Sequence, residues 1–238
     1  MPRAAEKVID LDTYRTGKAY TVGEVAHLVK TSPSTVRRWI KGYVYDAQGR
    51  RMAPVFGEKD VGDGSPPLLS YLDLIEILVA VRFTQHGGKL EKVRAAREMA
   101  KKKWPDLRYP FASVRLKMAG GDLLHGFDEE YGGAPLSMTL GTPEAPQYAL
   151  PHIVEGALEL LDFEGDLSVR WFPAGRDVPI VVDPRFAGGR PTIVKTGVTV
   201  DTIARRFVDG HEKMAYIARD LSIRTKDVEE AIRYAKAA

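Results

Sequence analysis

The chain has 238 residues, a formal net charge of +3 and no cysteine. This length accommodates one or two domains. The lack of cysteine excludes disulfides, thiol chemistry and cysteine-ligated metal sites, and it fits a reducing cytoplasm. No signal peptide is visible, and the longest apolar run, residues 72–83, is interrupted by charges. A cytoplasmic protein that does not enter a membrane is therefore predicted.

The charges are unevenly distributed along the chain. Residues 1–118 contain 22 Lys and Arg against 13 Asp and Glu, a net of +9. Residues 119–185 contain 3 against 12, a net of −9, and residues 186–238 contain 10 against 7, a net of +3. Separated signs indicate separated tasks, with a basic end for phosphates and an acidic middle for a basic partner or surface, although chance drift is the alternative.

Residues 1–19 are polar with little periodicity and predict an N-terminal arm. Residues 20–42, YTVGEVAHLVKTSPSTVRRWIKG, then have the pattern of a helix-turn-helix. Thr21 followed by Glu24 forms a capping box, and Ser32-Pro33 is an N-cap with proline at the first helical position. Apolar residues recur at helical spacing in both predicted helices: Val22, Val25, Ala26, Val29, Val36, Trp39 and Ile40.

The second predicted helix leaves hydroxyl and basic side chains facing outward. A short helix, a tight turn and a basic second helix are what a major-groove reader needs. The candidate DNA-reading residues are Ser34, Thr35, Arg37 and Arg38, and Lys41 is a candidate phosphate contact. The alternative is an ordinary helical hairpin with a solvated charged face.

The segment after this helix predicts a small hairpin. Residues 43–46 and 51–55 are candidate strands, and Ala47-Gln48-Gly49 supplies the turn. Such a hairpin would be a wing, in which Arg50 and Arg51 at the tip reach phosphate or a minor groove. An exposed loop with solvated arginines is the alternative.

Two further helices follow. Ser70 is predicted to cap the first, with Asp73 at its third position. The second runs from about Leu90 to Trp104 and is predicted to carry a basic surface, which either lies against the duplex backbone or keeps the protein soluble. That surface consists of Lys89, Lys92, Arg94, Arg97, Lys101, Lys102 and Lys103.

The rest of the chain changes character. Residues 119–179 form an acidic middle segment containing Gly and Pro, in which residues 152–163 predict a helix and residues 167–172 a strand. Residues 180–238 predict two short strands and three helices, the first and last capped by Thr199 and Thr225. The predicted fold is mainly α with small β elements (α+β), a winged helix-turn-helix domain and then short strands with a three-helix C-terminal bundle.

One cluster raises the question of catalysis. Asp128, Glu129 and Glu130 lie near His125, and hard metals bind carboxylates. Three consecutive acids cannot all face one site on a helix or strand, however. No phosphate-binding loop, dinucleotide motif or nucleophile elbow occurs. We therefore predict no enzyme, no cofactor and no metal, with a metal-dependent hydrolase as the least favoured alternative.

Two family resemblances add to this interpretation. Residues 20–118 resemble the DNA-binding domain of MerR-like regulators, with the helix-turn-helix, the hairpin and then LSYLDLIEILVAVRF and LEKVRAAREMAKKKW. The long dimerising helix that follows in many such regulators is missing. Residues 180–235 resemble a small helix-turn-helix family catalogued as a domain of unknown function, whose members are commonly antitoxin partners of PIN-like ribonuclease toxins.

Together the halves resemble a VapB-type antitoxin of a VapBC-like toxin–antitoxin module. The resemblance implies that the chain neutralises a PIN-like ribonuclease toxin and represses its own operon by binding operator DNA. The acidic Asp128, Glu129 and Glu130 are then candidate toxin contacts, and a homodimer is expected because one short recognition helix reads only a half-site. The alternative is a ligand-responsive one-component transcriptional regulator, with a pocket near Trp171, Tyr131 and Tyr148.

Overall fold

The computed structural model describes residues 10–44, 49–56, 68–86, 88–116 and 155–237. Helices and small antiparallel sheets alternate in these ranges, which confirms the α+β class. The helices are α1 (Leu11–Thr16), α2 (Val22–Leu28), α3 (Pro33–Lys41), α4 (Tyr71–Gln85), α5 (Leu90–Lys103), α6 (Val200–Val208), α7 (Met214–Asp220) and α8 (Thr225–Ala237). The strands are β1 (Lys18–Thr21), β2 (Tyr43–Val44), β3 (Arg51–Met52), β4 (Leu68–Ser70), β5 (Leu161–Glu164), β6 (Leu167–Trp171), β7 (Ile180–Val181) and β8 (Thr192–Ile193).

Residues 10–19 are part of the folded structure, although the sequence predicted an arm over residues 1–19. They form α1 and the start of β1, which pairs antiparallel with β4. Arg15 on α1 is buried, and its guanidinium donates hydrogen bonds to the carbonyl oxygens of Glu164 (2.9 Å) and Leu167 (3.1 Å). A buried arginine needs such acceptors, so this contact fixes α1 against the β5–β6 hairpin.

Helix α4 is the centre of the first of two cores. Its start is the predicted one, because the Ser70 hydroxyl accepts the backbone N–H of Asp73 and the Asp73 carboxylate accepts that of Ser70. Twelve of its fifteen residues are buried, so it is enclosed on all sides rather than on one inner face. An apolar helix surrounded in this way organises the elements packed around it.

The first core also includes residues far along the chain. Leu158, Leu161, Trp171 and Val182 pack in the same cluster as α2, α3 and α4. The helix predicted over residues 152–163 is wrong in its second half, because residues 155–159 are helical but Leu161 begins strand β5, which pairs with β6. Pairing across a hairpin outweighs a local helical pattern here. We call residues 10–116 and 155–173 the N-terminal unit.

Residues 178–237 form a second unit with its own core, which we call the C-terminal unit. Strands β7 and β8 pair antiparallel, and α6, α7 and α8 pack together through Ile203, Ile217, Val228 and Ile232. The predicted cap of α6 is confirmed, because the Thr199 hydroxyl accepts the backbone N–H of Thr202 at 3.0 Å. No helix in the described ranges combines the length and apolarity needed to cross a bilayer.

The C-terminal unit contacts the N-terminal unit at both ends of α2. The buried Tyr20 hydroxyl donates to the carbonyl oxygen of Gly189 (2.9 Å), and the Arg190 guanidinium lies 3.7 Å from the Glu24 carboxylate. Beyond the other end of α2, the Lys30 ammonium donates to the carbonyl oxygen of Ala237 at 3.0 Å. The outer face of α2 is therefore turned toward the C-terminal unit.

Candidate nucleic-acid interface

Helices α2 and α3 begin where the sequence predicts. The Thr21 hydroxyl accepts the backbone N–H of Glu24 (3.2 Å) and the Glu24 carboxylate accepts that of Thr21 (2.8 Å), which completes the capping box. The bond from the backbone N–H of Thr21 is the largest cause that lowers the pKa of Glu24. Ser32 caps α3 by accepting the backbone N–H of Thr35 at 3.0 Å. The apolar faces of the two helices are buried in the first core.

The outward face of α3 carries the predicted DNA-reading residues. Ser34, Arg37, Arg38 and Lys41 are exposed, and Thr35 is half-buried. The hydroxyls of Ser34 and Thr35 each lie 2.8 Å from the Ser32 hydroxyl, so both belong to the cap at the start of α3. A hydroxyl has one donor and two acceptor positions, so each retains capacity for a further partner.

Within the described part of the chain, the cations of this face have no acidic partner. Among the described residues no carboxylate forms an ion pair with Arg37, Arg38, Lys41 or Arg51. The Arg38 guanidinium lies over the Tyr43 ring at 4.1 Å, a stacking contact that orients the side chain and keeps its charge. Arg50 and Arg51 are exposed at the adjacent strand. The result is a positive surface built on one helix and the ribbon beside it.

Strands β2 and β3, which we call the ribbon, follow α3 directly. Tyr43 pairs with Met52 and Val44 with Arg51, while residues 45–48, the end of the first predicted strand and two of the three predicted turn residues, lie outside the described ranges. Gly42 makes this arrangement possible, because it has a φ of +70° and an added Cβ would overlap the carbonyl oxygen of Met52. Only glycine combines that backbone conformation with so close an approach.

The ribbon is fixed to α3 at its far end. The backbone N–H groups of Val55 and Phe56 both donate to the carbonyl oxygen of Trp39, at 2.7 and 3.1 Å. The Arg94 guanidinium on α5 donates to the carbonyl oxygens of Ala53 (2.7 Å) and Pro54 (3.0 Å). The position of the ribbon relative to α3 is therefore determined by the core, not by the ribbon's two short strands alone.

The assignment of one residue, Arg97, to the predicted basic surface on α5 is wrong. Arg97 is buried, and its guanidinium binds the buried Glu76 carboxylate at 2.6 Å. It also lies 5.2 Å from the centre of the Phe56 ring, and the second Glu76 oxygen accepts the backbone N–H of Phe111 at 3.0 Å. Burial raises the pKa of Glu76, and the Arg97 charge opposes that shift. An arginine on an otherwise exposed helical stripe is indistinguishable by sequence from its solvated neighbours.

The C-terminal unit contains a second helix pair, α7 and α8, in a unit where several arginines are paired with acids, whereas Arg219 on α7 lies over the Tyr216 ring at 5.5 Å. Arg224 binds Asp227 at 2.7 Å, and Arg233 binds Glu230 at 2.8 Å. Arg206 on α6 binds both Glu212 and Asp220 at 2.6 Å. The predicted cap at Thr225 is wrong, since Thr225 is already helical and Asp227 accepts the backbone N–H of Arg224 instead.

The sequence also suggested candidate residues in the middle of the chain. Asp128, Glu129, Glu130, Tyr131 and Tyr148 fall outside the described residues, whereas Trp171 is buried in the first core. Within the described ranges no group of three or more His, Asp or Glu is placed to hold a metal ion.

The sequence did not indicate the positioning roles of Gly42, Tyr43 and Arg94, although it placed Arg94 on the basic surface of α5. A glycine at the end of a basic helix was the one available signal.

Comparison with known proteins gives three findings. The family described as "Protein of unknown function (DUF433)" matches residues 180–235, so the resemblance of these residues to a family of unknown function is confirmed. The uncharacterized protein Rv2308 of Mycobacterium tuberculosis is 28% identical over 223 residues, which cover 92% of this chain and 90% of that protein. The crystal structure of Rv2018 from Mycobacterium tuberculosis has a TM-score of 0.71 at 24% identity, over 90% of this chain and 97% of that one. This last likeness extends the shared fold across both units.

Proposed function

We propose that this chain is a DNA-binding, non-enzymatic antitoxin, which represses its own operon and neutralises a PIN-like ribonuclease toxin. In its DNA-binding half, α2 and α3 act as a helix-turn-helix, α3 enters the major groove, and the ribbon is a wing. The observation that carries this half is a row of cations on α3, Arg37, Arg38 and Lys41, which have no acidic partner among the described residues and lie on a helix whose start is capped. Phosphate neutralisation by such cations supplies much of the affinity for DNA.

The anchoring of the ribbon supports the same proposal. A wing contributes to binding only if its position relative to the recognition helix is constant, because phosphate contacts set the register of a protein on the duplex. The hydrogen bonds from Val55 and Phe56 to Trp39, and from Arg94 to the segment after β3, provide that constancy. Arg51 would then contact the sugar–phosphate backbone of the DNA at a fixed distance from Arg37.

A salt titration tests the DNA-binding half. A fluorescein-labelled duplex from the region upstream of the chain's own coding sequence is titrated with the full chain, and a shuffled duplex of equal composition is the control. We expect tighter binding to the upstream duplex, and a logarithm of affinity that falls linearly with the logarithm of salt, by about 0.9 per phosphate contact. No binding to either duplex at low salt would contradict the proposal.

The antitoxin half rests on the resemblance of residues 180–235 and on the charge of the middle of the chain. A PIN-like toxin binds RNA over a basic surface, and residues 119–185 carry a net charge of −9. Opposite charges speed association between proteins, so these residues would cover that surface and compete with RNA. Asp128, Glu129 and Glu130 are the proposed toxin contacts. As an operator-binding protein with one recognition helix per chain, the antitoxin would act as a homodimer.

Recovery of the partner tests the antitoxin half. The tagged full chain is purified from its native host at moderate salt, and each bound protein is assayed for ribonuclease activity alone and in the complex. We expect a small stoichiometric partner that is active alone and silent when bound. The triple variant D128N/E129Q/E130Q should slow its association, and an unchanged rate would refute the acidic contact. Recovery of DNA without any protein partner would refute the antitoxin half and favour the ligand-responsive regulator.

A further inference from the structure

The two units contact each other around α2 but do not fill the space between these contacts. A cleft of about 860 Å³ lies there, lined by His27 and Leu28 of α2 and by Val200, Ala204 and Tyr234 of the C-terminal unit. This volume falls within the range of small-molecule sites in proteins.

The contact that limits the cleft at one end depends on glycine. Gly189 has a φ of +77°, and an added Cβ would overlap the Tyr20 hydroxyl, which donates to the Gly189 carbonyl oxygen. At the other end the Lys30 ammonium holds the carbonyl oxygen of Ala237. The cleft is therefore bounded at both ends of α2 by direct contacts between the units.

Two polar groups in the cleft are available to a ligand. The Arg190 side chain is 66% exposed, and at 3.7 Å its guanidinium is beyond hydrogen-bond distance of the Glu24 carboxylate. The Tyr234 hydroxyl has no hydrogen-bond partner among the described residues, and burial raises its pKa to about 12, so it remains a neutral donor. The other cation of the cleft, Arg205, is already held by Asp201 at 2.7 Å on the same helix.

We propose that this cleft binds a small aromatic carboxylic acid between the two units. Its carboxylate would replace Glu24 as the partner of the Arg190 guanidinium, which lies 3.7 Å from the Glu24 carboxylate, because guanidinium–carboxylate pairs with two parallel hydrogen bonds are strong and directional. Its ring would lie among the apolar Leu28, Val200 and Ala204, and a ring hydroxyl such as that of 4-hydroxybenzoate would accept a hydrogen bond from Tyr234. The bound molecule would touch α2 on one side and α6 and α8 on the other, and so couple the C-terminal unit to α2.

The test uses the full chain without DNA, so its outcome is independent of the proposed DNA and toxin binding. Benzoate, 4-hydroxybenzoate and indole-3-acetate are titrated by calorimetry, together with acetate and benzyl alcohol, which lack the ring and the carboxylate respectively. We expect at least one of the three aromatic acids to bind at least tenfold more tightly than either control compound. Equal affinity for all five compounds, or no binding by the acids at millimolar concentration, would overturn the proposal.

Two variants locate the site. Arg190→Gln should weaken binding of the aromatic acid at least tenfold, and Ala204→Phe, which fills the cleft, should abolish it. Lys195→Gln, an exposed cation outside the cleft, is the matched control and should bind as the parent does. Because Arg190 is exposed, its loss leaves the fold intact. Unchanged affinity in Arg190→Gln, in a chain with the parent's melting temperature, would refute the assigned site.

Discussion

The chain contains two helix pairs of similar outline, α2–α3 and α7–α8, which differ in what their arginines contact. In the first pair, Arg37 and Arg38 are exposed without an acidic partner in the described residues. In the second unit, Arg206, Arg224 and Arg233 are each held by a carboxylate within 2.8 Å. A paired guanidinium would have to give up its partner before it met a phosphate. Among the described residues, Arg37 and Arg38 therefore have no carboxylate to give up, whereas Arg206, Arg224 and Arg233 each have one, and Arg219 on α7 instead lies over the Tyr216 ring.

The two pairs also differ in how they are stabilised. In the unit that contains α2–α3 and the ribbon, Glu76 on α4 and Arg97 on α5 form a buried ion pair, and the Arg97 guanidinium lies 5.2 Å from the centre of the Phe56 ring. On α6 and α8 of the C-terminal unit, the ion pairs of Arg205 with Asp201 and of Arg233 with Glu230 have an exposed arginine. Buried and exposed ion pairs respond differently to the loss of one partner, because only the buried one leaves an uncompensated charge. Substitutions that break one ion pair in each unit should therefore distinguish the contribution of a buried ion pair from that of an exposed one.

The largest effect is expected at the buried pair. Glu76→Ala should lower the free energy of unfolding by about 3–5 kcal/mol, because it leaves the Arg97 guanidinium buried without a counter-charge. Arg233→Ala, which breaks an exposed pair on α8, should cost at most about 1 kcal/mol. Urea unfolding followed by circular dichroism measures both. The double variant Glu76→Met with Arg97→Met should be more stable than Glu76→Ala, and a cost below about 1 kcal/mol for Glu76→Ala would contradict the comparison.

The second effect is on DNA affinity. Arg37→Ala should weaken binding to the upstream duplex by about 1–3 kcal/mol if it contacts a base, whereas Lys41→Ala should weaken all duplexes alike and reduce the salt dependence by about one contact. Arg233→Ala on the second helix pair is the matched control and should leave the affinity unchanged. Anisotropy titrations at several salt concentrations distinguish these outcomes. Equal losses from Arg37→Ala and Arg233→Ala would mean that both pairs bind DNA.

The contact between the units gives the third prediction. Gly188 and Gly189 both have positive φ, but an added Cβ meets nothing within 4 Å at Gly188 and overlaps the Tyr20 hydroxyl at Gly189. Both alanine variants share the backbone strain, roughly 1 kcal/mol. The additional loss in Gly189→Ala therefore reports the docking of the C-terminal unit on Tyr20, and we expect it to be about 1–2 kcal/mol. Matching melting temperatures in the two variants would show that this docking contributes nothing to stability.

The local starts and stops of the helices were predictable from the sequence, whereas the long-range partners were not. Thr21 with Glu24, Ser32 with Pro33, and Ser70 with Asp73 cap helices as predicted, because capping depends on residues three or fewer positions apart. The exposure of Arg37, Arg38 and Lys41 followed from the same helical spacing.

The burial of Arg97 could not be predicted from helical spacing. Its burial depends on Glu76, twenty-one residues earlier, and on the ring of Phe56. Leu161 likewise lies in a helical pattern but pairs with Trp171 across the β5–β6 hairpin. The contacts that turn α3 and the ribbon into one surface, through Gly42 and Arg94, are also tertiary, so the sequence indicated the candidate residues without the framework that positions them.

The smallest effect concerns a feature that the two helix pairs share. Glu24 at the start of α2 and Asp227 at the start of α8 each accept a backbone N–H three residues earlier. For Glu24 this backbone bond is the largest cause that lowers the pKa, and for Asp227 the largest cause is the hydrogen bond from the Arg224 side chain. A carboxyl group whose pKa is lower in the folded state stabilises the fold at pH values above its pKa in the unfolded chain, which is about 4.3 for Glu and 3.9 for Asp. That stabilisation is lost as the pH falls through the lowered pKa of the carboxyl group in the folded state.

Glu24→Gln and Asp227→Asn should therefore each lower the melting temperature slightly at pH 7, and the difference from the parent should shrink below about pH 4. Glu229→Gln, on the exposed face of α8, is the control and should give no such trend. Parallel behaviour in the two variants would mean that the helix pairs share their caps and differ only in the charges they present. A difference that persists undiminished at pH 2 would instead mean that these caps act through side-chain shape, and that the carboxylate charge is not what starts either helix.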